Sequence, residues 1–328
     1  MDLGLFLGNV PVLFFFLGAL AVLLGSDMEL PAPLPKLFTL YLLLAIGLRG
    51  GAELSLAHLD AEVAWTLAAG VLAAAVIPCY VYFIMRRFLG APDAAGVAAT
   101  YGSVSAVTFI TASGFLDALG QTPGGHLVAV TALVETPSVL VAVTLARLRG
   151  SRASTQPGLF SWKEFLRDTF FNGSILLLVG ALLIGLLAGR FNPKGTDDIV
   201  PFTRGWLFNG VLCLFLLDLG LTAARRAGDL RSKGPLLIVA ALLIPLLNAA
   251  LGIGIGRLVG MSAANAFLFT VILASGSYIV VPAALRYALP EANPGLFVPM
   301  ALAVTFPFNI LFGLPLYWSV IQTLWRLS

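Results

Sequence analysis

Charged residues are scarce in this chain. Only 11% of its 328 residues are charged and 59% are hydrophobic, whereas a soluble domain carries roughly 25% charged residues. The mean hydropathy is +0.98. Water cannot be the main solvent for such a surface, and this excludes a sizeable soluble domain. The length allows about ten membrane spans, because each helix needs roughly 20 apolar residues to cross the hydrocarbon.

Cysteine and histidine are also rare. Cys79 and Cys213 both fall inside apolar stretches, and neither has another Cys or His at metal-ligand spacing. The sequence therefore predicts no resident metal, no disulfide and no cofactor. It also has no paired carboxylates and no nucleophile with a base at plausible spacing, so a membrane enzyme is disfavoured.

Basic residues are few and scattered. No Lys or Arg follows Met1-Asp2 before the first apolar stretch, so we interpret that stretch as a first span rather than a signal peptide. The 19 Lys and Arg residues form no stripe that would suit a nucleic acid. Most of them fall in alternate loops, which predicts a multi-pass protein of the plasma (inner) membrane with both termini outside.

Ten apolar segments are separated by charged or Gly/Pro-rich gaps. We therefore predict an all-α integral membrane protein with ten transmembrane helices in contact with membrane lipid. The first five run near Phe6–Leu24, Leu34–Leu48, Val63–Met85, Ala94–Phe115 and His126–Leu145. The other five run near Gly173–Gly189, Arg204–Thr222, Gly234–Val259, Ala263–Ala288 and Gly295–Leu324.

The longest polar stretch divides the chain in the middle. We assign residues 1–147 to a first five-helix repeat, 148–171 to a cytoplasmic linker and 172–328 to a second repeat. Trp162 and Phe165 lie among the basic residues of the linker. The linker is either a short amphipathic helix at the membrane interface or a plain solvated connection.

Similar short motifs recur in the two halves in the same order. Leu44-Ala45-Ile46-Gly47-Leu48 resembles Leu217-Asp218-Leu219-Gly220-Leu221, and Ser103-Val104-Ser105 resembles Ser275-Gly276-Ser277. Because each half has an odd number of spans, the second half enters the membrane from the opposite side. Such a 5+5 inverted-topology repeat is typical of secondary transporters.

The fourth and ninth spans contain small hydroxyl residues with Gly or Pro near their middle, and we predict that both helices are broken there. Irregular backbone at membrane depth is tolerated where protein buries it or where it lines a cavity. The free N–H groups and positive dipole of a half-helix suit an anion. The candidate substrate-binding residues are Gly102, Ser103, Ser105, Thr108, Ser275, Gly276 and Ser277.

A structural interpretation of these residues is also possible, because Ser and Thr hydroxyls often bond their own helix and Gly permits close helix packing. Glu135 is the more informative ionisable residue, since it lies inside the fifth span before Thr136-Pro137. It is a candidate for ion coupling, with Thr108 and Ser277, or else a structural partner of an interior Arg. Arg49 and Glu53, after the second span, are expected to be solvated.

Over nearly its whole length the chain resembles the SbtA-type sodium-dependent bicarbonate permeases. The matching features are Ile46-Gly47-Leu48 with Gly50-Gly51, the Gly102–Ser105 region, and Ala274-Ser275-Gly276-Ser277. The most specific stretch is Leu285-Arg286 followed by Pro290 and Ala292-Asn293-Pro294.

The resemblance implies a homotrimer in which helices three to five and eight to ten move as an elevator against a scaffold. It implies bicarbonate between the two breaks, Na⁺ as the coupling ion, and a regulatory protein on the cytoplasmic face. The chain departs from the family in having Tyr278 in place of an acidic residue, and Glu135 in place of Asp. A different small organic anion, or coupling to H⁺, is the alternative, and a membrane sensor is a less favoured one.

Overall fold

The computed structural model describes residues 10–31, 33–56, 61–149, 173–198, 200–203, 205–231 and 234–326. This part of the chain is helical and contains no strand. The helices are α1 Val10–Leu23, α2 Pro33–Leu56, α3 Ala61–Met85, α4 Ala91–Gly102, α5 Ala106–Ala118, α6 His126–Arg149, α7 Gly173–Phe191, α8 Pro193–Asp198, α9 Val200–Thr203, α10 Trp206–Arg231, α11 Pro235–Val259, α12 Ala263–Leu273, α13 Val280–Ala288 and α14 Pro294–Arg326.

Among the described residues, seven helical segments are long and apolar enough to cross a membrane. Three shorter apolar helices accompany them, at Val10–Leu23, Leu176–Phe191 and Ala263–Leu273. Large apolar side chains such as Leu20 and Ile184 remain exposed, at 49% and 61%, which suits contact with lipid rather than water. The chain is therefore an all-α membrane protein. The predicted linker lies almost wholly outside the described residues.

Two helix pairs pack closely beside the other helices, α1 with α10 and α2 with α7. Glycines make both contacts possible. A Cβ atom at Gly18 or Gly220 would overlap the backbone of the opposite helix, and the same holds for Gly51 and Gly185 in the second pair. Close packing of two helix backbones is a usual basis of helix association in membranes. Because lipid tails are as apolar as the side chains, the hydrophobic effect does not drive helices together there. We call α1, α2, α7 and α10 the peripheral pairs.

The helices α3 to α6 and α11 to α14 pack together as a central bundle. In the span Ala91–Ala118, which contains α4 and α5, 94% of the residues in an apolar 18-residue window are buried, whereas the corresponding share in Ala61–Met85 is only 39%. The first of these therefore occupies the middle of the bundle and the second faces outward. The residues with broken-helix motifs are thus enclosed by protein.

Both helices predicted to be broken are interrupted near their centres. Residues 103–105 separate α4 from α5, and residues 274–279 separate α12 from α13. The last span also departs from regular α-helix, since Met300–Thr305 and Asn309–Gly313 are π-helical. The sequence did not predict these π segments, which occur where α14 passes the break between α12 and α13.

The expectation that Arg49 and Glu53 are solvated is wrong. Helix α2 continues to Leu56, so Arg49 lies inside it and its side chain is only 12% exposed. Its guanidinium donates to Asp117 of α5 at 2.7 and 2.8 Å and to Glu53 at 3.0 Å. Two carboxylates offset the cost of burying the cation, and the helix can therefore extend past the predicted end at Leu48.

Candidate functional site

The two breaks contact each other directly. The Ser277 amide donates to the Thr100 carbonyl at 2.9 Å. The Ser105 amide donates to the Ser275 hydroxyl oxygen at 2.9 Å, and that hydroxyl donates to the Ile272 carbonyl at 2.9 Å. The irregular backbone of each helix therefore satisfies part of the other's hydrogen bonding, as it must where water is absent.

A single amide side chain binds the carboxyl ends of both first half-helices. Asn248 of α11 donates from Nδ2 to the Tyr101 carbonyl at 3.1 Å and to the Leu273 carbonyl at 2.8 Å. Its oxygen accepts from the Tyr80 hydroxyl. Helix ends leave carbonyls without intrahelical partners, so Asn248 stabilises both breaks at once.

Further contacts around the two breaks occur in matched pairs. Ser138 of α6 donates to the Ala99 carbonyl at 2.9 Å, and Asn309 of α14 donates to the Ala274 carbonyl at 2.9 Å. At the helix starts, Asp93 of α4 accepts from the Asn293 amide at 2.9 Å. Likewise, Asn265 of α12 accepts from the Gly124 amide at 2.7 Å. Contacts of the same kind therefore occur around both breaks.

A small cavity lies where the breaks meet the peripheral pairs. The central bundle contributes polar atoms from both breaks and from α6, while α2 and α7 close the cavity on the other side. Its lining residues are Thr39, Leu43, Val104, Ser105, Ala106, Thr131, Glu135, Leu178, Ser277, Tyr278, Ile279 and Val280. The cavity is therefore shared between the two parts of the fold.

The starts of both second half-helices border this cavity. Ser105 caps α5, and its hydroxyl oxygen accepts from the Thr108 amide at 3.2 Å. Val280, the first residue of α13, also lines the cavity. The first N–H groups of a helix have no intrahelical partner and carry the positive end of its dipole. Two such ends meet here, and the described residues that line the cavity include no Lys or Arg.

Glu135 supplies the acidic group of the cavity. Its side chain is 7% exposed and forms no ion pair or hydrogen bond with any described residue. The expectation of an interior Arg partner therefore finds no support within the described ranges. Thr131 lies one helical turn earlier and lines the same cavity. A carboxylate beside a hydroxyl provides the oxygen ligands that a hard cation prefers.

Three of the predicted residues, Ser105, Ser277 and Glu135, line one cavity. The others pack behind it. Gly102 approaches Pro78 and Ser138, where a side chain would collide, and Ser275 uses its hydroxyl within the protein. The remaining predicted residues are buried or closely packed but do not line the cavity, namely Ser103, Thr108 and Gly276.

Several residues of the site were not predicted. Thr131 could have been found, because it precedes Glu135 by four positions and therefore shares its helix face. Asn248 could also have been found, as a polar side chain in an otherwise apolar span. Thr39 and Leu178 carry no local signal, since they reach the cavity only through the packing of α2 and α7.

Comparison with curated proteins finds no match. A family model described as the Na⁺-dependent bicarbonate transporter superfamily matches residues 11–322, which include every residue of the cavity. The chain therefore belongs to the Na⁺-dependent bicarbonate transporter superfamily, a family of transporters and not of enzymes.

Proposed function

We propose that this chain imports bicarbonate together with Na⁺, and that both bind in the cavity at the two helix breaks. One observation carries the proposal. The same cavity receives two half-helix N-termini, which attract an anion, and a buried carboxylate without a partner among the described residues, which attracts a cation. Membership of a Na⁺-dependent bicarbonate transporter superfamily supports this choice of ions.

Glu135 is the proposed coupling residue. A carboxylate buried without a partner is costly in its charged form, because transfer of an ion into an apolar medium loses its hydration. A bound Na⁺ removes that cost and also removes the repulsion that the carboxylate exerts on an anion in the same cavity. Anion and cation therefore favour each other's binding, and this reciprocity is what symport requires.

The anion is proposed to lie against Ser105 and Ser277 and the ends of α5 and α13. These donors are neutral, so they hold a small anion without the strong attraction of a Lys or Arg. The cavity is small, which favours bicarbonate over organic acids with a carbon chain. Gly102, Ser103, Thr108, Ser275 and Gly276 keep the breaks in place rather than contact the anion.

We further propose ten spans in a 5+5 inverted repeat, with the central bundle moving as an elevator against the peripheral pairs. The matched contacts at Ser138 and Asn309, and at Asp93 and Asn265, support the repeat. The position of the cavity between the two parts of the fold supports the elevator. In such a mechanism one bundle moves against the other as a rigid body and thereby changes the side of the membrane from which the site is reached.

We propose the membrane orientation and the oligomeric state from the sequence. Both termini lie outside the plasma membrane, in accord with the distribution of Lys and Arg. A homotrimer with a cytoplasmic regulatory partner is proposed from the family resemblance.

The proposal is tested by uptake of labelled bicarbonate into proteoliposomes. An inward Na⁺ gradient is expected to accelerate uptake by the unaltered chain. In Glu135→Gln, which keeps the shape of the side chain and removes its charge, Na⁺ is expected to lose this effect. The control is Glu29→Gln, the same chemical change on an exposed loop residue, which should behave as the unaltered chain.

Three results separate the possibilities. Uptake no greater than that of empty liposomes would refute bicarbonate as the substrate. Uptake driven by an inward H⁺ gradient but not by Na⁺ would assign coupling to protons. Unchanged Na⁺ stimulation in Glu135→Gln would exclude the coupling role of this residue.

A further inference from the structure

We infer that Tyr278 is a specificity-determining residue whose hydroxyl donates a hydrogen bond to the transported anion. The inference rests on the proposed function, because it assigns a further donor to the same cavity.

The first observation is the state of the Tyr278 hydroxyl. The side chain lines the cavity and is only 9% exposed. Its hydroxyl lies near the Ser105 side chain, yet forms no hydrogen bond of good geometry with the described part of the protein. A buried hydroxyl without a partner costs about 1–3 kcal/mol of free energy. A group kept at such a cost beside an internal cavity is a candidate to bind what enters the cavity.

The second observation is that the ring is held in place. It packs edge-on against Phe306 of α14, with ring centroids 6.1 Å apart and an interplanar angle of 71°. Phe306 in turn packs against Phe15 of α1, at 5.4 Å. The Tyr278 ring thus lies in a chain of aromatic contacts between the central bundle and a peripheral pair. A held ring presents its hydroxyl in a fixed direction, which a flexible side chain would not.

The third observation is that an anion in this cavity depends on neutral hydrogen-bond donors such as the Tyr278 hydroxyl. No Lys or Arg is among the lining residues, and Glu135 repels an anion. Charge-assisted hydrogen bonds from neutral donors to an anionic oxygen are roughly twice as strong as those between neutral groups. Tyr278 therefore adds a directed donor beside Ser105 at the start of α5, and its ring limits the size of the anion that fits.

The test compares two buried tyrosines. Tyr82 of α3 also has a buried hydroxyl without a partner among the described residues, but it does not line the cavity. In Tyr278→Phe, the KM for bicarbonate at saturating Na⁺ is expected to rise roughly tenfold, as loss of one hydrogen bond to a charged group predicts. The KM for Na⁺ should stay within about twofold. Tyr82→Phe should leave both values within about twofold.

Tyr278→Ala tests the role of the ring. Acetate, which exceeds bicarbonate in bulk at its methyl group, is expected to inhibit bicarbonate uptake by Tyr278→Ala more strongly than uptake by Tyr278→Phe. Equal acetate inhibition in the two variants would refute the size limit. An unchanged bicarbonate KM in Tyr278→Phe, or an equal rise in Tyr82→Phe, would refute the role of the hydroxyl.

A binding measurement tests the role of Tyr278 even if the chain does not transport bicarbonate. The thermal stability of the purified chain is measured with sodium bicarbonate, formate, nitrate and chloride. If bicarbonate uptake fails but one anion stabilises the chain, a smaller stabilisation of Tyr278→Phe supports the inference, and equal stabilisation overturns it. Absence of stabilisation by all four anions would also overturn it.

Discussion

Buried polar side chains around the breaks have two different roles. Several of them bind backbone groups that the interrupted helices leave free, as Asn248, Ser138 and Asn309 do. Glu135 and Tyr278 instead line the cavity and make no hydrogen bond of good geometry with the described residues. The first kind maintains the shape of the site, and we propose that the second kind binds the transported ions.

Replacement of Asn248 by Ala tests the first role. The carbonyls of Tyr101 and Leu273 would lose their donor while remaining buried. Since each unsatisfied buried group costs about 1–3 kcal/mol, we expect a destabilisation of about 2–4 kcal/mol. Thermal unfolding in detergent should show a lower midpoint. Asn209→Ala, at an exposed position of α10, serves as the control, and an equal loss there would contradict the assignment.

Features of the helices could be predicted from the sequence where neighbouring residues determine them. Clusters of Gly, Ser and Pro within an apolar span indicated both breaks, because these residues weaken a helix wherever they occur. The partners of the hydroxyls were not predictable, since they depend on packing between distant elements. Arg49 was misjudged for the same reason. Its main partner, Asp117, lies 68 residues away in the sequence.

Helix pairing at the periphery depends on glycine, and Gly51 offers a direct test. A Cβ atom there would overlap the Leu182 carbonyl, so Gly51→Ala must push α2 and α7 apart. Overpacking of this kind costs about 1–3 kcal/mol. Gly180→Ala in α7 meets no atom within 4 Å and should leave stability unchanged or raise it by about 0.5–1 kcal/mol.

Thermal melting of the two variants tests whether the contact between α2 and α7 requires glycine. Gly51→Ala is expected to melt below the unaltered chain and Gly180→Ala at or above it. Similar melting of both variants would show that α2 and α7 tolerate a wider separation, and that glycine is not required at their contact.

At the scale of the whole molecule, the proposed elevator requires the central bundle to slide past the peripheral pairs. A disulfide that joins the two parts should stop it. A Cβ atom at Gly50 of α2 would lie 2.9 Å from that of Val128 of α6. A disulfide needs about 3.5–4.5 Å, so a small adjustment permits the bond. Oxidised Gly50→Cys/Val128→Cys should not transport, and reduction should restore uptake.

The control joins two residues within one peripheral pair. A Cβ atom at Gly47 would lie 2.7 Å from that of Ala181, and neither residue changes its neighbours if only the bundle moves. Oxidised Gly47→Cys/Ala181→Cys should therefore transport normally. Both variants are made with Cys79 and Cys213 replaced by Ala. Transport by the oxidised Gly50→Cys/Val128→Cys chain would exclude movement between these two parts.

The contact of Arg49 with Asp117 crosses the same boundary, from a peripheral pair to the central bundle. In the proposed elevator, movement along this boundary would draw the guanidinium away from Asp117, while Glu53 stays beside it on α2. The contact of all three charges would then hold the molecule in the position described here. Salt would weaken this attraction once water reaches the separated charges, so transport is expected to depend on ionic strength as well as on the two transported ions.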